Sequence, residues 1–238
     1  MTAGLLTAGS VGCTDQETKS LPGGDAKRPA TRSAAASDQP AVSPAPGGGL
    51  AGAKQLPGLS TAAVAKKQLA GLTVAEQHGM KGYSRARFKH WISQGESCDT
   101  RETVLERDGT GVKRDTECKA TSGTWVSVYD NKTVTDAGKL DIDHMVPLAN
   151  AWRSGADTWD DARRSAFAND LVRPQLLAVS AATNRAKGDQ GPDEWQPPAA
   201  TYWCTYATAW TNVKSHYGLT VTAAEKDKLT AMLKTCTS

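Results

Sequence analysis

In the run KLDIDHMVPLANAW, Leu140 and Ile142 alternate with Asp141 and Asp143, so a strand here carries one apolar and one acidic face, and His144 follows at its end. An imidazole titrates near neutrality and can take a proton from water, while a neighbouring carboxylate can hold a hard cation. A hydrolase uses that pair. An Asp-His pair by itself is equally a structural histidine beside a solvated acid, so the surrounding residues decide.

Twenty-five residues after His144, Asn169 precedes a second strand-like run in FANDLVRPQLLAVS; AATNRAKGD then reads as a helix with Asn184 at its start and Lys187 three residues on. A histidine at a strand end, an Asn, a strand, then a helix bearing Asn and Lys resembles the His-Me finger, or HNH, nuclease module, in the version whose last ligand is Asn, as in the HNH module of RNA-guided CRISPR nucleases. The likeness extends through KGYSRARF, SCDTRETVLERD, DHMVPLANAWRSGA, NRAKGDQGPDEWQPP, YWCTYA and YGLTVTAAEKDKL, which together resemble the exported HNH endonucleases of high-GC Gram-positive bacteria over nearly all of residues 72 to 236.

The resemblance implies roles for individual residues. Asp143 and Asn184 would be metal ligands, His144 the general base, and Asn169 a brace for the loop that holds the histidine. One anionic and one neutral oxygen donor suit Mg²⁺ or Mn²⁺, whereas zinc prefers nitrogen and sulfur. The fold it implies is α+β: a ββα-metal core at about 139 to 190 within a mostly helical single domain. The activity it implies is hydrolysis of DNA, with RNA as the other candidate substrate, leaving 5′-phosphate and 3′-hydroxyl ends.

Arg185 and Lys187 share a helix with Asn184, where they would either grip flanking phosphates or face solvent. Asp141 would orient the site or be a solvated strand residue.

Several elements must position these groups. Thr61 to Leu69 has helical composition. YSRARFKHWIS reads as a second helix that Ser84 could cap, with Phe88, Trp91 and Ile92 on one face. The crowd of Lys81, Arg85, Arg87, Lys89 and His90 there is either a phosphate-contacting patch or a solvated face. TWVSVYD alternates as a strand, with Val126 and Val128 opposite Trp125 and Tyr129. Tyr202, Tyr206, Trp210, Val213 and Tyr217 recur at helical spacing as a core stripe begun after Pro197 and Pro198 and ended by Gly218. Thr222 and Glu225 would form a capping box for a last helix through Leu233. QGPDEWQPP reads as a closing loop with Trp195 packed inward.

Composition divides the chain of 238 residues. Six of eleven prolines fall in the first 60 positions, in runs with almost no large apolar side chain, so residues 14 to 58 read as a disordered Pro/Gly/Ala/Ser-rich tether. All seven tryptophans lie from Trp91 to Trp210, which places the nuclease domain at 59 to 238. Residues 1 to 13, ending LLTAGSVGC, resemble a truncated lipoprotein signal with Cys13 as the candidate lipid anchor. The other four cysteines, an even set without C-x-x-C spacing, read as two structural disulfides; of three connectivities, Cys98–Cys118 and Cys204–Cys236 are favoured. The expected location is extracellular or on the cell surface, as a monomer.

No apolar run reaches the roughly 18 residues of a membrane-crossing helix. A net charge of +3 is too small for general polyanion binding, so contact with nucleic acid must be local. Without a helix-turn-helix, zinc finger or basic arm to read bases, little sequence preference is expected. Two other readings remain: an inert exported nucleic-acid-binding or surface interaction protein, and a different metal hydrolase acting on cell-wall material. His78, His90 and His216 lie in no ligand spacing with His144, which counts against the last.

Overall fold

The computed structural model describes residues 53–237. The lipobox-like segment with Cys13, and the reading of residues 14–52 as a tether, lie outside the described residues. Leu56, inside the stretch read as tether, is buried and belongs to the main core.

Helix α1 (Ala62–Gly71) is capped by Thr61, whose side chain accepts from the Val64 N–H. The short antiparallel pair β1 (Ser93–Gly95) and β2 (Cys98–Asp99) leads into α2 (Thr100–Asp108), capped by Asp99. A three-stranded antiparallel sheet follows, made of β3 (Thr110–Arg114), β4 (Ala120–Ser127) and β5 (Lys132–Val134). Strand β6 (Leu140–His144) then gives way to α3 (Leu148–Arg153) and α4 (Asp161–Ala168) before β7 (Leu176–Ser180), α5 (Ala181–Lys187), α6 (Trp203–Tyr217) and α7 (Ala223–Leu233).

Strands β6 and β7 pair antiparallel, with Leu140 opposite Ser180 and His144 opposite Leu176. Strand alternation sorts their side chains between two cores. Leu140, Ile142, Leu176 and Ala178 pack with Val104, Leu105 and Trp125; Leu177 and Val179 join the main core of α1, α3, α4, α6 and α7. The outer edge of β7 is closed by side chains rather than by another strand. The Ala178 N–H donates to Asp108 Oδ2 at 2.8 Å, and the Ser180 N–H donates to Ser127 Oγ at 2.9 Å. The pair is thus fixed by α2 and β4 on one side and by α5 on the other.

Both favoured disulfides are present. Cys98–Cys118 ties β2 to the β3–β4 turn, and Cys204–Cys236 ties the start of α6 to the chain just beyond α7. Gly218 ends α6 at φ +65, and Thr222 with Glu225 forms the capping box of α7. Trp195 packs inward against Tyr129 and Tyr206.

Three local readings need correction. The helix expected over YSRARFKHWIS is only a 3-10 turn at Arg85–Arg87, because the Lys89 carbonyl and the Ile92 N–H bond to the Asn169 side chain instead of to a helix. Val128 lies beyond the end of β4 and is buried beside Tyr129, so the alternation of TWVSVYD stops at Ser127. Asn184 stands mid-helix; Ser180 caps α5.

Candidate active site

His144 ends β6 with its ring buried, yet it borders a cleft of about 240 Å³ shared with Tyr83, Arg85, Asp143, Asn184 and Arg185. Its Nε2 lies 2.9 Å from the Ala168 carbonyl at the end of α4. A carbonyl only accepts, so Nε2 carries the proton and Nδ1 keeps a bare lone pair. Burial pushes the imidazole down to about 3, against the opposing pull of the Ala168 bond, and the positive charges of Arg85 and Lys187 add to the depression. The ring is therefore a neutral base at pH 7.

Asp143, on the opposite face of β6, is held by two groups. Lys187 Nζ donates to Oδ1 at 2.9 Å and to Oδ2 at 2.6 Å, and the Tyr129 hydroxyl donates to Oδ2 at 2.6 Å. Nζ also reaches the His144 and Met145 carbonyls at 2.8 and 3.0 Å. Burial pushes the Asp143 carboxyl up and the Lys187 ammonium down, while each group's charge pulls the other back. Four acceptors that cannot donate surround Nζ, which favours the ammonium with its three protons. Lys187 thus faces inward and is fully buried, which fits neither the phosphate grip nor the solvent-facing position that the sequence left open for it. The long stem of Lys187 turns its charge toward β6 because the acceptors are there.

Asn184 donates through Nδ2 to Asp141 Oδ2 at 3.2 Å, which identifies its other terminal atom as the carbonyl oxygen. Asp141 thereby orients Asn184. Arg185 is mostly exposed, with Nε 3.6 Å from Asp141. Arg85 borders the cleft and has no carboxylate at ion-pair distance among the described residues. One guanidinium thus comes from the turn after Ser84 and one from α5.

Asn169 does not line the cleft. Its Nδ2 donates to the Lys89 and Ser165 carbonyls, and its Oδ1 accepts from the Ile92 N–H and Thr100 Oγ1. It braces the segment 89–92, not the loop that carries His144. The histidine is held by Ala168, the residue before Asn169. Tyr129, Ala168 and Trp91 were not marked as site residues by sequence, and only the proximity of Trp91 to the basic cluster could have drawn attention to it.

Among the described residues, no three His, Cys, Asp or Glu side chains gather as a metal cluster. A cation here would depend on oxygen donors of mixed type. Asp143 offers about four lone-pair directions, of which three are taken, leaving one on Oδ1, and the Asn184 carbonyl oxygen adds another. Oxygen donors of this kind suit a hard cation rather than zinc.

Residues 99–232, more than half of the chain, match the family described as "GmrSD restriction endonucleases, C-terminal domain". The chain belongs to that family. The GmrSD C-terminal match takes in Asp143, His144, Asn169, Asn184, Arg185 and Lys187, while Tyr83, Arg85 and Trp91 precede it. A fungal relative from Arthroderma benhamiae, described as "Uncharacterized secreted protein", is 56% identical over 180 residues, covering 76% of this chain and 88% of the relative. The likeness is therefore not confined to bacteria. No solved structure matches.

Proposed function

We propose that the protein is an exported, HNH-type endonuclease that hydrolyses phosphodiester bonds of DNA, and of RNA as a second substrate, with little sequence preference. The observation that carries this reading is the Nε2–H bond of His144 to Ala168, which leaves Nδ1 unprotonated on a residue that lines a cleft with Asp143, Asn184, Arg85 and Arg185 and so supports a role as base.

Phosphodiesters repel nucleophiles, so hydrolysis needs a base on one side and positive charge on the other. Nδ1 of His144 takes a proton from water, whose oxygen attacks phosphorus as the bond to the 3′ oxygen breaks. The departing 3′ oxygen takes a proton from solvent, so the products are a 5′-phosphate and a 3′-hydroxyl. Arg85 and Arg185 hold the non-bridging oxygens from two sides. Asp143 and Asn184 are the residues that would hold Mg²⁺ or Mn²⁺, and the ion would supply stabilisation of the negative charge that develops. Lys187 offsets the charge of Asp143, so the affinity for the ion is expected to be modest. Export is supported by the two disulfides and by the secreted relative.

The full chain should nick supercoiled plasmid, and degrade RNA more slowly, in Mg²⁺ but not in chelator. The engagement of Asp143 by Lys187 favours one other reading, an inert exported nucleic-acid-binding protein. Retention of plasmid without cleavage in any divalent ion would point to it, and absence of both binding and cleavage would dispose of both readings.

A further inference from the structure

Trp91 stands in the left-handed region at φ +57, a conformation that a bulky L side chain rarely adopts. A tryptophan merely filling a core would not need it. Asn169 donates to the Lys89 carbonyl at 2.7 Å and accepts from the Ile92 N–H at 3.2 Å, and so clamps the chain on either side of His90 and Trp91. Thr100 reinforces the clamp. Its Oγ1 donates to Asn169 Oδ1 at 2.8 Å, and its backbone N–H donates to the Ile92 carbonyl at 3.0 Å.

The clamp lays the half-buried indole over the imidazole of His144, with ring centroids 5.6 Å apart and planes within 24° of parallel. His90, itself bonded to the Phe88 carbonyl, meets His144 edge-on at 6.5 Å. The Ala168 bond fixes one nitrogen of the ring, and the indole covers one face. Two consecutive residues at the end of α4 therefore hold the histidine from two directions: Ala168 directly through its carbonyl, and Asn169 through Trp91.

We propose that Trp91 is the positioning residue for His144, locking the ring so that Nδ1 rather than Nε2 is presented to water in the cleft, and that Asn169 acts through it. This rests on the nuclease reading above. A free imidazole can turn about its Cβ–Cγ bond, which takes Nε2 away from the Ala168 carbonyl and lets the proton sit on either nitrogen; the stack against an indole held by a strained backbone opposes that rotation. Asn169 thus has its own place in the reaction without touching the reacting atoms.

The test compares the full chain with Trp91→Ala, Trp91→Leu, Trp91→Phe and Asn169→Ala, using plasmid cleavage in Mg²⁺, thermal melting and ¹⁵N NMR of the His144 ring. In the native chain, Nε2 should carry the proton. Trp91→Ala and Asn169→Ala should each lower kcat roughly ten- to a hundredfold, a share of the 10²- to 10⁴-fold due to a general base, with KM nearly unchanged. Both should give a mixture of the two ring tautomers, and the double variant should be no slower than either single one. Trp91→Phe should keep most of the activity. Trp91→Leu keeps apolar bulk without a flat face; it serves if Trp91→Ala unfolds, and it should behave as that variant is expected to. Native kcat in Trp91→Leu, or a loss of kcat with the tautomer unchanged, would overturn the proposal. If the native chain cleaves nothing, the nuclease reading fails, and the tautomer comparison still decides whether Trp91 sets the ring.

Discussion

Lys187 Nζ lies 2.6 Å from Asp143 Oδ2 with both side chains buried, so the strand that carries His144 is bonded to the helix that carries Asn184 through an ion pair rather than through hydrocarbon. Removing one partner of such a pair leaves an uncompensated buried charge. Lys187→Met should cost about 3 to 5 kcal/mol of stability by denaturant titration. A second change, Asp143→Leu, should recover part of that loss. A loss below about 1 kcal/mol in the single variant would show that the ion pair does not hold β6 to α5.

Nucleic-acid affinity should separate the three basic residues near the cleft. Each phosphate contact contributes about 0.9 to the slope of log affinity against log salt for duplex DNA. Arg85→Ala and Arg185→Ala, measured in the His144→Ala background to prevent cleavage, should each reduce that slope by about one contact. Lys187→Met, measured under conditions where it remains folded, should leave it unaltered, because that charge is buried. A slope reduced by about one contact in Lys187→Met would reverse the assignment.

How much of this was legible in the sequence depends on the range of the contacts. The alternation of Leu140 and Ile142 with Asp141 and Asp143, the capping box at Thr222 and the pairing of four cysteines are local or countable features, and each appears as expected; the stripe from Tyr202 to Tyr217 is buried as expected, with Tyr202 in the turn just before α6. The inward turn of Lys187 depends on carbonyls and a carboxylate more than forty positions earlier. The broken helix at Phe88 depends on an amide 77 positions away from Ile92. Helical spacing cannot register competition of that range. Arg85 could be flagged as part of a basic cluster, but the cleft it borders exists only once the 3-10 turn faces β6.

The pH dependence of stability follows from His144. Its imidazole is pushed to about 3 in the fold, below the 6.5 of an unfolded chain. Between those values the unfolded state holds the extra proton, so this group's contribution is complete above about pH 6.5 and is lost as pH falls toward 3, by up to about 1.4 kcal/mol per pH unit. Melting curves from pH 7 to pH 4 should show that decline, with a shallower slope in His144→Ala. Equal slopes in the two proteins would mean that the buried ring is not held neutral.

The Cys98–Cys118 bridge closes a separation of 20 residues next to Thr100, which bonds Asn169. Constraint of the unfolded chain by a loop of that size is worth about 3 kcal/mol. The double change Cys98→Ser with Cys118→Ser should lower stability by about that amount and reduce cleavage at temperatures where the native chain is fully folded. Undiminished cleavage would separate the bridge from the segment that carries Trp91.

The central claim is that His144 is the base. Single-turnover cleavage of plasmid DNA in Mg²⁺ by the full chain and by His144→Ala, with the new ends characterised, tests it most directly. The variant should be at least a hundredfold slower while remaining folded, and the native chain should leave 5′-phosphates and 3′-hydroxyls. Cleavage by His144→Ala at the native rate would contradict the account.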